Sequence, residues 1–175
     1  TISSTELTKV LNVITAKKKI LILDACASGK AADKMIASRD VPASQIRALD
    51  RMQDRTGFYI LAGSASDAVS YESSVYGQGL LTYSLLKAIK GSALRIDAGE
   101  EYIDVQQLFQ FAVDEVPKLS KYIGGIQKPF YRSPDNQQSF DIGKVDIKTK
   151  NAIVISEPKP VFIEAVFSDS ESLYD

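Results

Sequence analysis

The sequence of 175 residues contains no histidine, no tryptophan and only one cysteine, Cys26. A single cysteine cannot form a disulfide within the chain, which suits a reducing compartment. The lack of histidine excludes zinc sites of the usual His/Cys type. It also means that Cys26, if it is a nucleophile, has no histidine within this sequence to act as its base.

The chain also lacks an excess of either charge and lacks any long apolar run. Its 21 basic and 22 acidic residues give a net charge of −1, which provides no electrostatic basis for binding nucleic acid or an anionic membrane. Every apolar run is shorter than the roughly 18 residues of a membrane span, and the N-terminal TISSTEL has no signal-peptide pattern. We therefore expect a cytoplasmic protein that binds neither nucleic acid nor a membrane.

Apolar runs and helical spacings alternate along the chain. The runs 20–23 and 58–62 are typical of strands buried in a parallel sheet. Helices are predicted from the spacing of apolar residues at 7–14, 43–52, 80–89 and 105–116, with Gly91 ending the third and Pro117 kinking or ending the fourth. This alternation predicts an α/β three-layer sandwich with a mainly parallel sheet.

Cys26 lies in a turn of small residues, "ACASG", just after the first predicted strand. A lone cysteine is often a small buried hydrophobe, and that structural alternative applies here too. A turn of small residues at the carboxyl end of a strand, however, lets a substrate approach the sulfur and leaves N–H groups to bind an oxyanion.

The segment "LILDACASG" resembles the nucleophile strand and turn of caspase-like cysteine peptidases, in the Asp-x-Cys-x-Ser-Gly form of metacaspases and their bacterial relatives. Further on, "FYILAGSASDAVSYES" is similar to the next core strand and substrate loop, and "GQGLLTYSLLKAIKG" to the helix that follows G-x-x-T. "YIDVQQLFQFAVDEV" and "QKPFYRSPDNQQSFDI" resemble later segments of the family. The resemblance covers about 5–143 and favours a prokaryotic or other non-animal source.

The resemblance implies an endopeptidase with a Cys-His dyad. Cys26 would be the nucleophile, and its amide would form part of the oxyanion hole in the turn that contains Gly29. The family's histidine precedes its cysteine by roughly 50 residues, so it would lie upstream of Thr1 together with the first strands of the sheet. We expect a companion N-terminal chain, separated by self-processing, to carry it. The alternative is a catalytically dead module that binds or regulates a partner.

The family resemblance also suggests a pocket for a basic side chain. Asp24 stands where the metacaspase pattern has an acid at the pocket floor, and Tyr71 would wall the adjacent subsite. The loop forming the other wall contributes Ser64, Ser66, Asp67 and Glu72. No Lys or Arg occurs between Thr56 and Leu86, so an incoming cation would be attracted and an anion repelled. We expect cleavage after Arg or Lys. The alternatives are that Asp67, Glu72 and Asp24 itself are ordinary solvated acids and that Tyr71 is a packing residue.

Two other features leave several interpretations open. No cofactor is implied, but some metacaspases need calcium, and the acidic segment "DAGEEYID" loosely imitates a calcium loop. The extension 144–175 lies outside the resemblance; "AIVIS" and "VFIEAVF" around "EPKP" suggest a β-hairpin, followed by a mobile acidic tail. The extension could link to another domain, cover the sheet edge or occupy the active cleft.

Overall fold

The computed structural model describes residues 4–24, 43–63, 75–123, 125–135 and 138–158. Within these ranges, helices and short strands alternate, which confirms an α/β fold. In chain order the elements are α1 (Ser4–Asn12), β1 (Ile20–Leu23), α2 (Ala43–Thr56), β2 (Tyr59–Ala62), α3 (Leu80–Lys87), a π-helical extension (Ala88–Ser92), β3 (Arg95–Asp97), β4 (Glu100–Asp104), α4 (Val105–Tyr122), β5 (Phe130–Arg132), β6 (Asp141–Val145) and α5 (Ile147–Ala152).

The central sheet has the order β1-β2-β5 among the described strands. β1 and β2 run parallel, with Leu23 opposite Ala62, whereas β5 runs antiparallel to β2. All four residues of β2 are buried, as expected of a central strand, while Ile22 of β1 is 42% exposed. Both predicted strands are confirmed.

A mainly parallel sheet is not what the described strands form. The β1–β2 pair is parallel, but β2–β5, β3–β4 and β4–β6 are antiparallel. In the central sheet the difference is due to β5, which returns along β2 as an antiparallel strand, a common way to complete an otherwise parallel sheet. β3, β4 and β6 then pair in a separate antiparallel sheet.

Apolar side chains on the two faces of β2 contact different helices. Tyr59 and Leu61 belong to a buried cluster with residues of α3 and α4. Ile60 points into a second cluster with Leu11 of α1 and Met52 of α2. This alternation has the two-residue period of a strand, and it places helices on both faces of β2.

β3 and β4 form a tight hairpin that positions the start of α4. The two residues between the strands, Ala98 and Gly99, have φ angles of 49° and 81°, the positive values that a type I′ turn requires. At the end of β4, the Asp104 carboxylate accepts a hydrogen bond of 2.9 Å from the Gln107 amide and so caps α4. It also accepts one of 2.6 Å from the Ser139 hydroxyl.

Two predicted helix boundaries need correction. α2 continues past residue 52 to Thr56, whose buried hydroxyl donates to the Met52 carbonyl over 2.7 Å. Of the two outcomes predicted for Pro117, the end of the fourth helix is wrong, because α4 continues to Tyr122. Proline removes one helical hydrogen bond, and burial of Val116 and Ser120 on either side of it keeps the helix on the core.

The extension that begins at 144 is partly continuous with the rest of the fold. Residue 144 lies within β6, so a boundary between 143 and 144 would divide a strand. The first arm of the predicted hairpin is not a strand: Ala152 ends α5, and 153–156 has no regular structure. Ile155 instead packs against the main core cluster. The second arm and the acidic tail lie outside the described residues.

Candidate active site

The carboxyl ends of β1 and β2 meet at one edge of the central sheet. Just after the last residue pair of the two strands, the Gly63 backbone amide donates to the Leu23 carbonyl over 3.0 Å. This bond extends the contact between the strands by one residue. In parallel sheets this edge is where ligands bind. The segment that contains Cys26 therefore follows β1 at the edge of the sheet where a functional site is expected.

Most of the predicted site residues lie outside the described residues. This applies to Cys26, Gly29, Ser64, Ser66, Asp67, Tyr71 and Glu72, which stay predictions. Asp24 is the described member of the set. It directly follows β1, and its side chain is exposed at the edge of the sheet.

Asp24 contacts the beginning of α3. Its carboxylate oxygen Oδ2 accepts a hydrogen bond from the hydroxyl of Thr82, the third residue of that helix. Gly79 is the N-cap residue of α3. A Cβ atom on Gly79 would lie 3.4 Å from Oδ2 of Asp24. Glycine thus lets the carboxylate come close to the helix N-terminus, where the partial positive charge of the backbone stabilises an anion.

The end of β2 packs closely against the same helix. A Cβ atom on Gly63 would lie 3.5 Å from Leu81 Cδ2 and 3.7 Å from Gln127 Nε2. Leu81 is fully buried, and Gln127 is 2% exposed. The backbone amide of Gln127 donates to the Ser120 hydroxyl over 3.1 Å. This hydrogen bond connects the residue packed behind Gly63 to the end of α4.

Buried aromatic residues anchor the chain that leads into α3. Tyr76 is 1% exposed, and its ring centroid lies 4.8 Å from that of Tyr83. Burial raises the pKa of Tyr76, and the neighbouring Tyr83, Tyr122 and Glu115 raise it further, so this phenol stays neutral. Thr82, which precedes Tyr83, is therefore carried by a helix turn fixed in the core.

The charged side chains at the two ends of α3 differ in whether they have an ionic partner. Lys87 in the last turn of α3 pairs with Glu115 of α4 over 2.5 Å. Asp24, at the other end, has no ion pair in the described part of the chain. An exposed carboxylate whose partner is a neutral hydroxyl has no compensating positive charge beside it, so an incoming cation would be attracted to it.

Sequence reasoning gave no role to Thr82 or Gln127. Thr82 is the threonine of the G-x-x-T motif, so the motif marked its position but not its contact with Asp24. Thr82 and Asp24 are 58 positions apart, and the packing of α3 against the end of β1 brings them together.

The acids considered as calcium ligands are engaged in other contacts. Glu100 pairs with Lys144 over 2.8 Å, Glu101 with Lys150 over 2.6 Å and Asp97 with Arg95 over 3.2 Å. Within the described ranges, no three His, Cys, Asp or Glu side chains are grouped so as to hold a metal ion. Nor does any helix there have the length and apolar character needed to cross a membrane.

The fold and the site together define a class of protein: an α/β domain whose candidate site lies at the carboxyl ends of two parallel strands. The family model for the caspase domain matches residues 3–141, which is most of the chain. The chain belongs to the caspase domain family, as the resemblance predicted, and membership indicates a function of the cysteine-peptidase kind. No curated protein matches the chain significantly, and no solved structure does.

Proposed function

We propose that this chain is the nucleophile-bearing part of a metacaspase-type cysteine endopeptidase that cleaves after Arg or Lys. The observation that supports this most directly is the position of Asp24. Its exposed carboxylate lies at the carboxyl edge of β1, two residues before Cys26, with Thr82 as its hydrogen-bond partner and no cation paired with it among the described residues. A cationic side chain bound there would present the next peptide bond to the cysteine turn.

In the proposed reaction, the Cys26 sulfur attacks the carbonyl carbon of the scissile peptide bond. A histidine takes the thiol proton and returns it to the leaving amine, so that a thioester and a free amine result. Water then hydrolyses the thioester and restores the thiol. The amide of Cys26, in the turn with Gly29, stabilises the oxyanion in both steps.

The histidine must come from a segment outside this sequence, since the 175 residues contain none. We propose that a companion N-terminal chain supplies it after self-processing and adds further parallel strands beside β1. In the described sheet β1 is an outer strand, and Ile22 on it is 42% exposed, which supports this arrangement. The complete domain would then be a mainly parallel three-layer sandwich in the cytoplasm.

The remaining pocket residues belong to the same proposal. Asp67 and Glu72 would add negative charge to the wall opposite Asp24, with Ser64 and Ser66 as polar neighbours and Tyr71 in the adjacent subsite. The charge pattern of 57–85, which has acids and no Lys or Arg, supports a basic substrate residue. No cofactor takes part in the reaction, and calcium would act only as an activator.

The experiment is hydrolysis of fluorogenic peptides that end in Arg, Lys or Asp before the reporter. The native protein, purified with every chain that accompanies it, is compared with the Cys26→Ala variant, and intact-mass measurement identifies any histidine-bearing companion. We expect cleavage after Arg and Lys that is lost in the variant. Equal cleavage after Asp, or Cys26-independent activity, would contradict the proposal.

A second function is favoured by one observation, the complete lack of histidine in this sequence. If the native protein has no companion with a histidine and cleaves none of the peptides, the chain is a non-catalytic caspase-like module. Asp24 would then bind a basic segment of a partner without cutting it.

A further inference from the structure

We propose that Thr82 is a positioning residue, which fixes the Asp24 carboxylate in the orientation that binds the cationic side chain of the substrate. This inference rests on the proposed function, because it concerns the same pocket. Thr82 would not touch the substrate and would act only through Asp24.

The first argument is the direction of the Thr82 hydroxyl. A threonine within a helix commonly bonds back to a carbonyl of its own helix. Thr56 does so, with its hydroxyl donating to Met52 four residues earlier. The Thr82 hydroxyl instead donates to a side chain that lies 58 residues away in sequence, on another element. This contact joins α3 to the end of β1.

The second argument is the difference in rigidity between the two partners. Thr82 follows Leu80 and Leu81, both fully buried, so its helix turn is anchored in the core. Asp24 is an exposed residue just after the end of β1. A carboxylate held by a hydrogen bond from a fixed helix loses less conformational entropy when a ligand binds than one that rotates freely.

The third argument is that the contact places no positive charge beside the carboxylate. A hydroxyl donor is neutral, so it orients the carboxylate without cancelling its charge, whereas a lysine or arginine in its place would compete with the substrate. Gly79 next to Oδ2 keeps bulk away from the same carboxylate. The arrangement therefore leaves Asp24 oriented and accessible, without a competing cation in the described part of the chain.

The test compares Thr82→Val with Thr82→Ser in the native protein, with all its accompanying chains. Loss of the hydroxyl in Thr82→Val is expected to raise KM for peptides ending in Arg or Lys about tenfold, with kcat changed little, because a contact made equally in the ground and transition states is weakened. Thr82→Ser keeps the hydroxyl and should restore the wild-type KM.

Thr56→Val is the matched control, since it removes the same hydroxyl group from a helix away from the site. It should lower the urea midpoint and leave KM unchanged, which separates positioning from general stability. A double-mutant cycle adds a second readout: in an Asp24→Asn background, Thr82→Val should have no further effect on KM.

Failure of this inference differs from failure of the proposed function. If the wild type shows Cys26-dependent cleavage after Arg or Lys and Thr82→Val has an unchanged KM, Thr82 has no positioning role and the peptidase assignment stands. If Thr82→Val does not fold, Thr82→Ala and Thr82→Ser are compared instead, and an equal KM for both overturns the inference. If the wild type shows no such cleavage, the proposed function itself fails and this inference fails with it.

Discussion

The acidic residues of the β3–β4 hairpin and Asp24 at the candidate site have the same chemistry but different surroundings. In the hairpin, Asp97, Glu100 and Glu101 each pair with a basic side chain at 3.2 Å or less. Asp24 is bonded to a neutral hydroxyl and has no cation partner in the described part of the chain. The difference indicates that the hairpin acids serve the fold, whereas the charge of Asp24 is available to a ligand.

The largest expected effect is that of Asp24→Asn. Removing this charge should lower kcat/KM for Arg and Lys peptides at least about a hundredfold, as for the loss of one partner of a desolvated ion pair. Glu100→Gln in the hairpin is the control. It should leave kcat/KM unchanged, because Glu100 and its partner Lys144 belong to the β3-β4-β6 sheet and not to the sheet that carries the candidate site. Equal losses for the two variants would remove the distinction between the two regions.

A paired acid should affect stability and its pH dependence. Burial raises the pKa of Glu115, but the hydrogen bond and charge of Lys87, with a smaller contribution from Lys118, outweigh it and hold the pKa below its ordinary value. A lowered folded-state pKa means that the stabilisation is complete above the unfolded pKa of about 4.3 and is lost as the pH falls through the lower, folded value.

We expect Glu115→Gln to lower the free energy of unfolding at pH 7 by about 1 kcal/mol and to flatten its decline below pH of about 4.3. Urea unfolding between neutral and acidic pH measures both effects. Asp114 is an exposed acid on the same helix whose hydrogen-bond donor is the neutral Gln110 side chain, and the control variant Asp114→Asn should flatten the curve less than Glu115→Gln. An unaltered acid limb in Glu115→Gln would show that the pair with Lys87 contributes nothing.

The smallest expected effect lies in the hairpin turn. Ala98 has a positive φ of 49°, which is unfavourable for a residue with a Cβ atom, and asparagine tolerates this conformation better before Gly99. Ala98→Asn should therefore stabilise the fold by on the order of 0.5 kcal/mol, with no change in peptide cleavage. Thermal unfolding measures the first part, and a changed kcat/KM would mean that the hairpin also belongs to the site.

The strongly periodic parts of the fold could be predicted from the sequence. β1 and β2 are short apolar runs, and α3 and α4 have apolar residues at helical spacing, so their type follows from local pattern. β3 could not be recognised in this way, because Arg95–Asp97 is mostly polar and becomes a strand only by pairing with β4. Local pattern also misjudged Pro117, where burial of the flanking residues decides the outcome.

For the candidate site, the family resemblance identified more residues than the hydrophobic periodicity did. The motif around Cys26 marked Asp24, and the family match over 3–141 confirms the family to which that motif belongs. The partnership of Asp24 with Thr82 was not predictable, because it depends on how β1 and α3 meet in three dimensions. Contacts of this kind, between residues far apart in the chain, determine which acid in a sequence keeps its charge free.

The contact of the C-terminal segment with the core has a consequence for any shortened version of this protein. The family match ends at residue 141, the first residue of β6, yet Ile155 packs on the core and Ser156 Oγ would lie 3.3 Å from a Cβ atom at Gly77. A fragment cut at 141 would expose the hydrogen-bonding edge of β4, a known cause of aggregation, and would uncover the chain leading into α3. The smallest fragment that keeps these surfaces covered extends at least to Ser156.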